Sequence, residues 1–172
     1  SNIEDNDDKK EKFLDKKLPG LKILSAKKEI TASDEDPLFE SVEFTYEPQN
    51  SDKFYFINPQ FLSVVRKNQF VAKERKTDID MGCNQEFVST ISMSFSDIYE
   101  VDHLPKNIVV RAPDSSFSFK RYYSLSGTTL YLSQIFEIKR ALFDKEEYKG
   151  VVEFFGSIYT LMNEELVLKK KK

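Results

Sequence analysis

A period of two, sustained through the middle of the chain, is the feature that most limits what this sequence can fold into. In residues 86–95, Phe87, Ile91, Met93 and Phe95 fall on one side of an extended backbone, and Val88, Thr90, Ser92 and Ser94 fall on the other. Successive side chains of a strand point to opposite faces. The pattern therefore predicts an antiparallel strand with one face on a core and one in water. Ile108-Val109-Val110 then leads into the turn signal Ala112-Pro113-Asp114-Ser115. Phe117-Ser118-Phe119 and Tyr123-Ser124-Leu125 resume the alternation up to Ser126-Gly127-Thr128-Thr129, where Gly127 is free to take a positive φ in a tight turn. Leu130, Leu132, Gln134, Phe136 and Ile138 interleave with Tyr131, Ser133, Ile135 and Glu137. Because the second set is also partly apolar, this strand is expected to be covered on both faces.

The flanking segments are shorter. Leu21-Lys22-Ile23-Leu24 opens a strand expected to run to Ile30. Phe39, Ser41, Glu43 and Tyr46 flank a second, in which Val42 and Phe44 share a face, closed by Pro48-Gln49-Asn50-Ser51. Phe54-Tyr55-Phe56-Ile57 is a third, stopped by Asn58-Pro59, and Leu166-Val167-Leu168 reads as a short final strand. Several short strands at this spacing indicate a sandwich or a strongly curled sheet.

One segment has the other period. Asp144 is a good N-cap, and Glu147 three residues on completes a pair resembling a capping box. Phe143 and Tyr148 have the spacing of a hydrophobic staple. Tyr148, Val151, Val152, Phe155, Ile158, Tyr159 and Met162 then recur at helical spacing, predicting a helix over about 145–163. Gly150 and Gly156 each cost about 1 kcal/mol relative to Ala, which a close approach of helix to sheet would explain. The fold class is therefore mainly β, an antiparallel β-sandwich with one C-terminal α-helix. Residues 1–18 read as a polar tail or the end of an upstream helix, in which Phe13, Leu14 and Leu18 are the apolar positions. Residues 19–169 form the sandwich, and 170–172 a basic tail.

Composition narrows the function. The chain has 172 residues, 26 basic against 29 acidic, and a net charge of −3. That length supports a single core without metal or disulfide. Nucleic-acid binders gather a basic excess on one face; here the charges are mixed, so nucleic acid is not an expected partner. Apolar runs of a few residues exclude a membrane-spanning helix, and no membrane insertion is expected. Ser1-Asn2 looks like an expression scar with no apolar stretch after it, so the chain begins mid-protein or has lost a signal peptide. The charged run from Glu4 to Lys10 favours an internal cut.

Candidate chemistry is sparse. Cys83 and His103 are the sole residues of their types, so a thiol enzyme would have to pair them, with the thiolate within hydrogen-bond reach of a base. No helix is expected to start near Met81-Gly82-Cys83-Asn84, and His103 lies in a loop-like stretch. A semi-buried cysteine and a loop histidine are the plainer expectation. A structural zinc site needs about four Cys or His ligands. Asp78-Ile79-Asp80 reads either as a calcium-binding pair or as a strand edge with Ile79 inward. Glu146 and Glu147 resemble paired catalytic carboxylates, yet at a helix start they complement the exposed backbone N–H groups. No catalytic residue, metal ligand or cofactor is therefore assigned, and the chain is not expected to be an enzyme. The 15 Phe and 8 Tyr fall mostly on apolar faces. Tyr122 and Tyr123 are adjacent, so in a strand one of them faces outward and is a candidate contact for glycan or peptide.

Taken in order, Leu18-Pro19-Gly20-Leu21-Lys22-Ile23, Tyr55-Phe56-Ile57-Asn58-Pro59, Asn68-Gln69-Phe70, Glu74-Arg75-Lys76, Ile79-Asp80-Met81-Gly82, Leu104-Pro105-Lys106, Leu142-Phe143, Glu147-Tyr148 and Glu165-Leu166-Val167-Leu168-Lys169 resemble a domain of unknown function that follows the catalytic core in transglutaminase-like proteins of Bacteroidetes. That family usually has Asn-Pro-Phe where this chain has Asn68-Gln69-Phe70, and often a proline at the position of Asp78. The family's thiol triad belongs to the upstream core, so no active-site residue transfers. The resemblance implies a non-catalytic β-sandwich packed beside that core of the same polypeptide, in a protein exported to the periplasm or cell surface. Residues 58–76 are the least strand-like stretch, and loops on a rigid scaffold are where contacts are made. Asn58 and Arg75 are the candidate contacts there. Arg75 either offers a bidentate contact to a partner carboxylate or pins the loop through an internal salt bridge.

Overall fold

The computed structural model describes residues 20–29, 37–47, 53–59 and 68–172. The apolar positions Phe13, Leu14 and Leu18, the strand end expected at Ile30, the stop at Pro48-Gln49-Asn50-Ser51 and residues 60–67 lie outside them. The chain divides into two compact units, residues 1–55 and 56–172.

In the first unit, strands β1 (Leu21–Glu29) and β2 (Phe39–Tyr46) pair antiparallel from Leu21↔Tyr46 to Glu29↔Phe39, with a bulge between Ile23 and Ser25. Val42, Phe44 and Tyr46 are half-buried and their neighbours exposed, as the alternation predicts. Gly20 closes the open end of this ribbon. Its carbonyl accepts the Glu47 N–H at 2.9 Å, its φ is 96°, and a Cβ there would stand 2.0 Å from the Glu47 carbonyl oxygen. Only glycine fits.

The unit boundary falls inside β3 (Phe54–Ile57). Beyond it follow β4 (Ile79–Asp80), β5 (Gln85–Ser94), β6 (Tyr99–His103), β7 (Ile108–Arg111), β8 (Phe117–Ser126), β9 (Thr129–Ile138) and β10 (Leu142–Phe143). A 3-10 turn (Lys145–Glu147), helix α1 (Tyr148–Met162) and β11 (Leu166–Lys170) complete the order. The strands form a four-stranded sheet β5-β9-β8-β7, a three-stranded sheet β3-β11-β6 and a small ribbon β10-β4, a sandwich-like arrangement with one C-terminal helix among the described residues.

The four-stranded sheet carries most of the core on one face. β8 and β9 pair without a break from Phe117↔Ile138 to Ser126↔Thr129, and β5 pairs with β9 from Gln85↔Ile138 to Ser94↔Thr129. Gly127, at φ 58°, makes the tight turn between β8 and β9. The turn before β8 is set by Asp114, whose Oδ1 accepts both the Ser116 N–H at 3.1 Å and its hydroxyl at 2.7 Å.

One face of this sheet, the inner face, carries Phe117, Phe119, Phe136 and Ile138 into a core shared with α1. Phe117 stacks on Phe143 with ring centroids 4.7 Å apart and on Phe154 at 5.2 Å; Phe155 meets Phe136 at 5.6 Å and Phe70 at 4.6 Å. Aromatic pairs in such offset and edge-to-face geometry add to the gain from burial. A helix, not a second sheet, covers this end of the face.

The helix differs from its predicted stripe. Its buried positions are Tyr148, Val151, Phe154, Phe155, Ile158 and Met162, whereas Tyr159 is exposed and Val152 half-buried. Its start is as expected: the Glu147 carboxylate accepts the Asp144 N–H at 2.8 Å, and Lys145 N–H reaches Asp78 Oδ1 at 3.0 Å. The role inferred for Gly150 and Gly156 is corrected, because a Cβ at either position meets nothing within 4 Å. Close packing does not require them.

Three further expectations change. β9 is covered on one face: Leu130, Leu132, Gln134, Phe136 and Ile138 are buried, but Tyr131 is exposed and Ser133, Ile135 and Glu137 only half-buried. The last strand reaches Lys170 and lies in the middle of its sheet, and the Lys171 N–H donates to the Ile98 carbonyl at 2.8 Å. The backbone of Lys169 and Lys170 is thus paired with β6, while the side chains of Lys170, Lys171 and Lys172 are exposed, as a solvated end predicts. Cys83, expected semi-buried, is exposed.

Candidate interaction surface

Arg121 sits where a hydrophobe would be expected. It is on the inner face of β8 and 1% exposed. Its Nη1 donates to the Leu161 carbonyl, and its Nη2 to the Lys106 carbonyl at 3.0 Å and to Glu164 Oε2 at 2.6 Å. A buried charge requires such partners. The guanidinium therefore ties together the C-terminal turn of α1, the chain entering β7 and the chain entering β11. The Arg121 Nε, Tyr123 hydroxyl and Gln134 Nε2 beside it are buried without a hydrogen-bond partner. Arg121 faces Gln134 in the strand register, and its Cζ lies 5.5 Å from the Tyr123 ring centroid. Burial pushes the Tyr123 phenol up to about 12 from 10.0, against the opposing pull of Arg121.

The alternation of β8 separates the two adjacent tyrosines. Tyr123 is 6% exposed, so its candidacy as a surface contact is overturned by its place under the inner face. Tyr122 points the other way and is 45% exposed. Tyr131, a residue not singled out from the sequence, lies on the same outer face at 47% exposure, one step diagonally from Tyr122 in the register Tyr122↔Ser133, Ser124↔Tyr131. The signal for it is the partly apolar second set of β9, which by alternation alone predicts a second buried face. Val88 and Val109 are also exposed on this face, in a row with Ile135 and Lys120. Thr90, Ser92 and Ser124 place hydroxyls around the two rings.

One end of the outer face is ionic. Glu137 accepts the Ser118 hydroxyl and pairs with Lys120 Nζ at 3.1 Å and Lys139 Nζ at 3.2 Å. The Ser118 hydrogen bond, then Lys120 and Lys139, hold the Glu137 carboxyl down at about 2, against 4.5. Arg140 joins Glu147 at 2.5 Å and Asp114 at 3.6 Å, and stacks over Phe143 with its Cζ 4.1 Å from the ring centroid. Its hydrogen bond, with that of the Asp144 N–H, lowers the Glu147 carboxyl, and the Ser116 hydroxyl lowers that of Asp114. Glu147 is thus engaged by a cap and an arginine, while Glu146 is exposed beside Lys145 at 3.7 Å.

The remaining sequence candidates are dispersed. Asn58 is half-buried and engaged, just after β3. Arg75 is exposed in a stretch without helix or strand, and among the described residues no ion pair holds it. Cys83 lies in the turn between β4 and β5, and His103 ends β6 opposite Val167 instead of lying in a loop. Asp80 Oδ1 accepts the Gly82 N–H at 2.7 Å and Asp78 accepts from Lys145, which explains both carboxylates as turn and cap acceptors, and Ile79 is buried between them. Among the described residues, no three His, Cys, Asp or Glu side chains come together as a metal site, and no helix is long and apolar enough to cross a membrane.

Comparison with known proteins gives two matches. The chain resembles, at 13% identity and a TM-score of 0.57, the crystal structure of a "putative protease" from Parabacteroides distasonis ATCC 8503; the likeness covers 70% of this chain and 24% of that one. The chain thus spans about a quarter of the length of the protein it resembles, and the likeness is one of fold. No curated protein matches in sequence. A family model described as a domain of unknown function with solved structure matches residues 52–168, taking in every strand from β3 to β10, the helix and the first part of β11. On that match, which spans well over half of the sequence, the chain belongs to the DUF3858 family of domains of unknown function.

Proposed function

We propose that this chain is a non-catalytic accessory module of a larger, exported transglutaminase-like protein, and that it packs against and positions the upstream core of that polypeptide. The observation that carries the reading is the extent of the structural likeness: a fold covering most of this chain accounts for only 24% of the longer protein that shares it. The dispersal of Cys83 and His103 onto different elements, both exposed, supports a role without chemistry of its own. A fold alone does not carry function, so the reading rests on binding. The surfaces offered for docking are the outer face bearing Tyr122 and Tyr131 and the exposed stretch around Arg75.

The test is calorimetric titration of this chain with its separately expressed upstream core. Saturable binding at one-to-one stoichiometry is expected, and Arg75→Ala or Tyr131→Ala then weakens it. Absence of heat at high concentration rejects the docking role. A second reading, a glycan- or peptide-binding module, is favoured by the two outward tyrosines with hydroxyls around them, since rigid amphipathic rings supply contact area at low entropic cost. It predicts that a glycan and peptide screen yields a ligand whose binding is lost in Tyr122→Ala.

A further inference from the structure

The two edges of the four-stranded sheet are built differently. β7, one edge, is four residues long, follows Pro105 and is ended by Pro113. At its start Asn107 substitutes for a strand residue: its Oδ1 accepts the Tyr123 N–H at 2.6 Å and its Nδ2 donates to the Tyr123 carbonyl at 3.3 Å. Short length, prolines and side-chain pairing are devices that stop an edge from recruiting another strand. β5, the other edge, has none of them. It runs for ten residues in unbroken one-to-one register with β9 and contains no proline, lysine or arginine; its one charge is Glu86. No strand lies along its far side among the described residues.

The side chains of β5 repeat the asymmetry. On the inner face, Leu130, Leu132 and Phe136 of β9 are buried, whereas Phe87, Ile91 and Met93 beside them are only half-buried. The apolar layer therefore stops at an open row. A strand added there must bring apolar side chains on the same face.

We propose that the free edge of β5 pairs with β5 of a second copy of this chain, antiparallel about a twofold axis at Ser89. The strand is complementary to itself in this register. Gln85 meets Met93, Phe87 meets Ile91 and Ser89 meets its own mate on the inner face; Val88 meets Thr90 and Glu86 meets Ser92 on the outer face. Each open apolar position gains an apolar or long neighbour across the new pair, the unit by which sheets are stabilised. The sole charges stay apart: the two Glu86 residues are separated by six positions, about 20 Å at the rise of a strand. A closed twofold contact also uses up both edges, so pairing ends at a dimer with one continuous eight-stranded sheet. An interface made by one pair of strands is small, and such interfaces give weak, reversible complexes. This association does not depend on docking to an upstream core.

Sedimentation equilibrium of the 172-residue chain, from micromolar to millimolar concentration, is the test, together with hydrogen exchange at both ends of that range. The weight-average mass is expected to rise with concentration from 20.1 kDa toward twice that value, with exchange slowing in β5 and not in β7. Thr90→Lys places a lysine on an exposed position of the edge, where it leaves the monomer's melting curve unchanged and weakens association by about tenfold or more. A mass that stays monomeric throughout the range overturns the proposal. So does association that Thr90→Lys leaves intact, or a dimer whose β5 amides gain no protection.

Discussion

Ser118, Lys120, Tyr122 and Ser124 alternate along β8 with Phe117, Phe119, Arg121 and Tyr123, so the outer and inner faces of one strand can be compared with the backbone held constant. On the inner face α1 lies over the phenylalanines, and the charge that shares the face is satisfied by two backbone carbonyls and Glu164. On the outer face Tyr122 and Ser124 are exposed, and polar groups satisfy one another at its rim: Ser118 with Glu137, and Glu137 with Lys120 and Lys139. The same period of two thus produces a close-packed aromatic core on one side and a hydroxyl- and tyrosine-bearing surface on the other. The difference lies in what folds back over each face.

The comparison breaks most completely at Phe117. Its ring touches Phe143, Phe154 and Phe155, so Phe117→Ala should cost about 3–5 kcal/mol of unfolding free energy, read by chemical denaturation. Next is Arg121→Ala, which strips partners from the Leu161 and Lys106 carbonyls and removes a buried stem. A loss of about 2–3 kcal/mol is expected, with faster hydrogen exchange at the C-terminal turn of α1.

An acid titration separates the outer face from the inner. Because the Glu137 carboxyl is held at about 2, below its ordinary 4.5, its contribution is complete above pH 4.5 and is lost as pH falls toward 2. Ser118→Ala removes the largest cause of that depression, and carbon-detected NMR titration should show the Glu137 midpoint moving up toward 4.5.

Tyr123→Phe sharpens the comparison in the opposite direction. The hydroxyl is buried and unpartnered, so deleting it should stabilise the fold by about 1 kcal/mol, measured as a rise in Tm. The raised phenol also implies stability that is complete below pH 10 and lost as pH climbs toward about 12, and the substitution should abolish that component of alkaline unfolding. The smallest effect belongs to Tyr122→Ala, one residue away. Its exposed ring should change stability by less than about 0.5 kcal/mol while altering whatever binds the outer face.

Much of the frame was legible in residue order. The strands at 85–94, 117–126 and 129–138, the turns at Asp114 and Gly127, and the Asp144–Glu147 helix start all follow from local chemistry: the pleat, the φ a turn demands, and backbone groups that need partners. The candidate surface was half legible. Adjacent Tyr122 and Tyr123 had to point opposite ways, but which one faced water was decided by α1 and the segments around Arg121. Tyr131 was missed because an outer set containing Ile135 reads as apolar whether or not anything covers it. The helix was assigned one wrong position for the same reason: Phe154 and Tyr159 both fit beside an apolar stripe, and only contact with Phe117 and Phe136 selects Phe154.

What the sequence determined by itself, then, is the alternation, the turns, the helix start and the mainly β class, because each is settled by interactions between residues a few positions apart. Tertiary structure alone decided that a helix roofs the phenylalanine end of the sheet, that an arginine 40 residues from Leu161 and 43 from Glu164 is buried between them, and that the backbone of Lys169 and Lys170 pairs along β6. Those outcomes depend on distant groups meeting, where a buried charge is tolerated only if its partners arrive. No local pattern in the chain records their arrival.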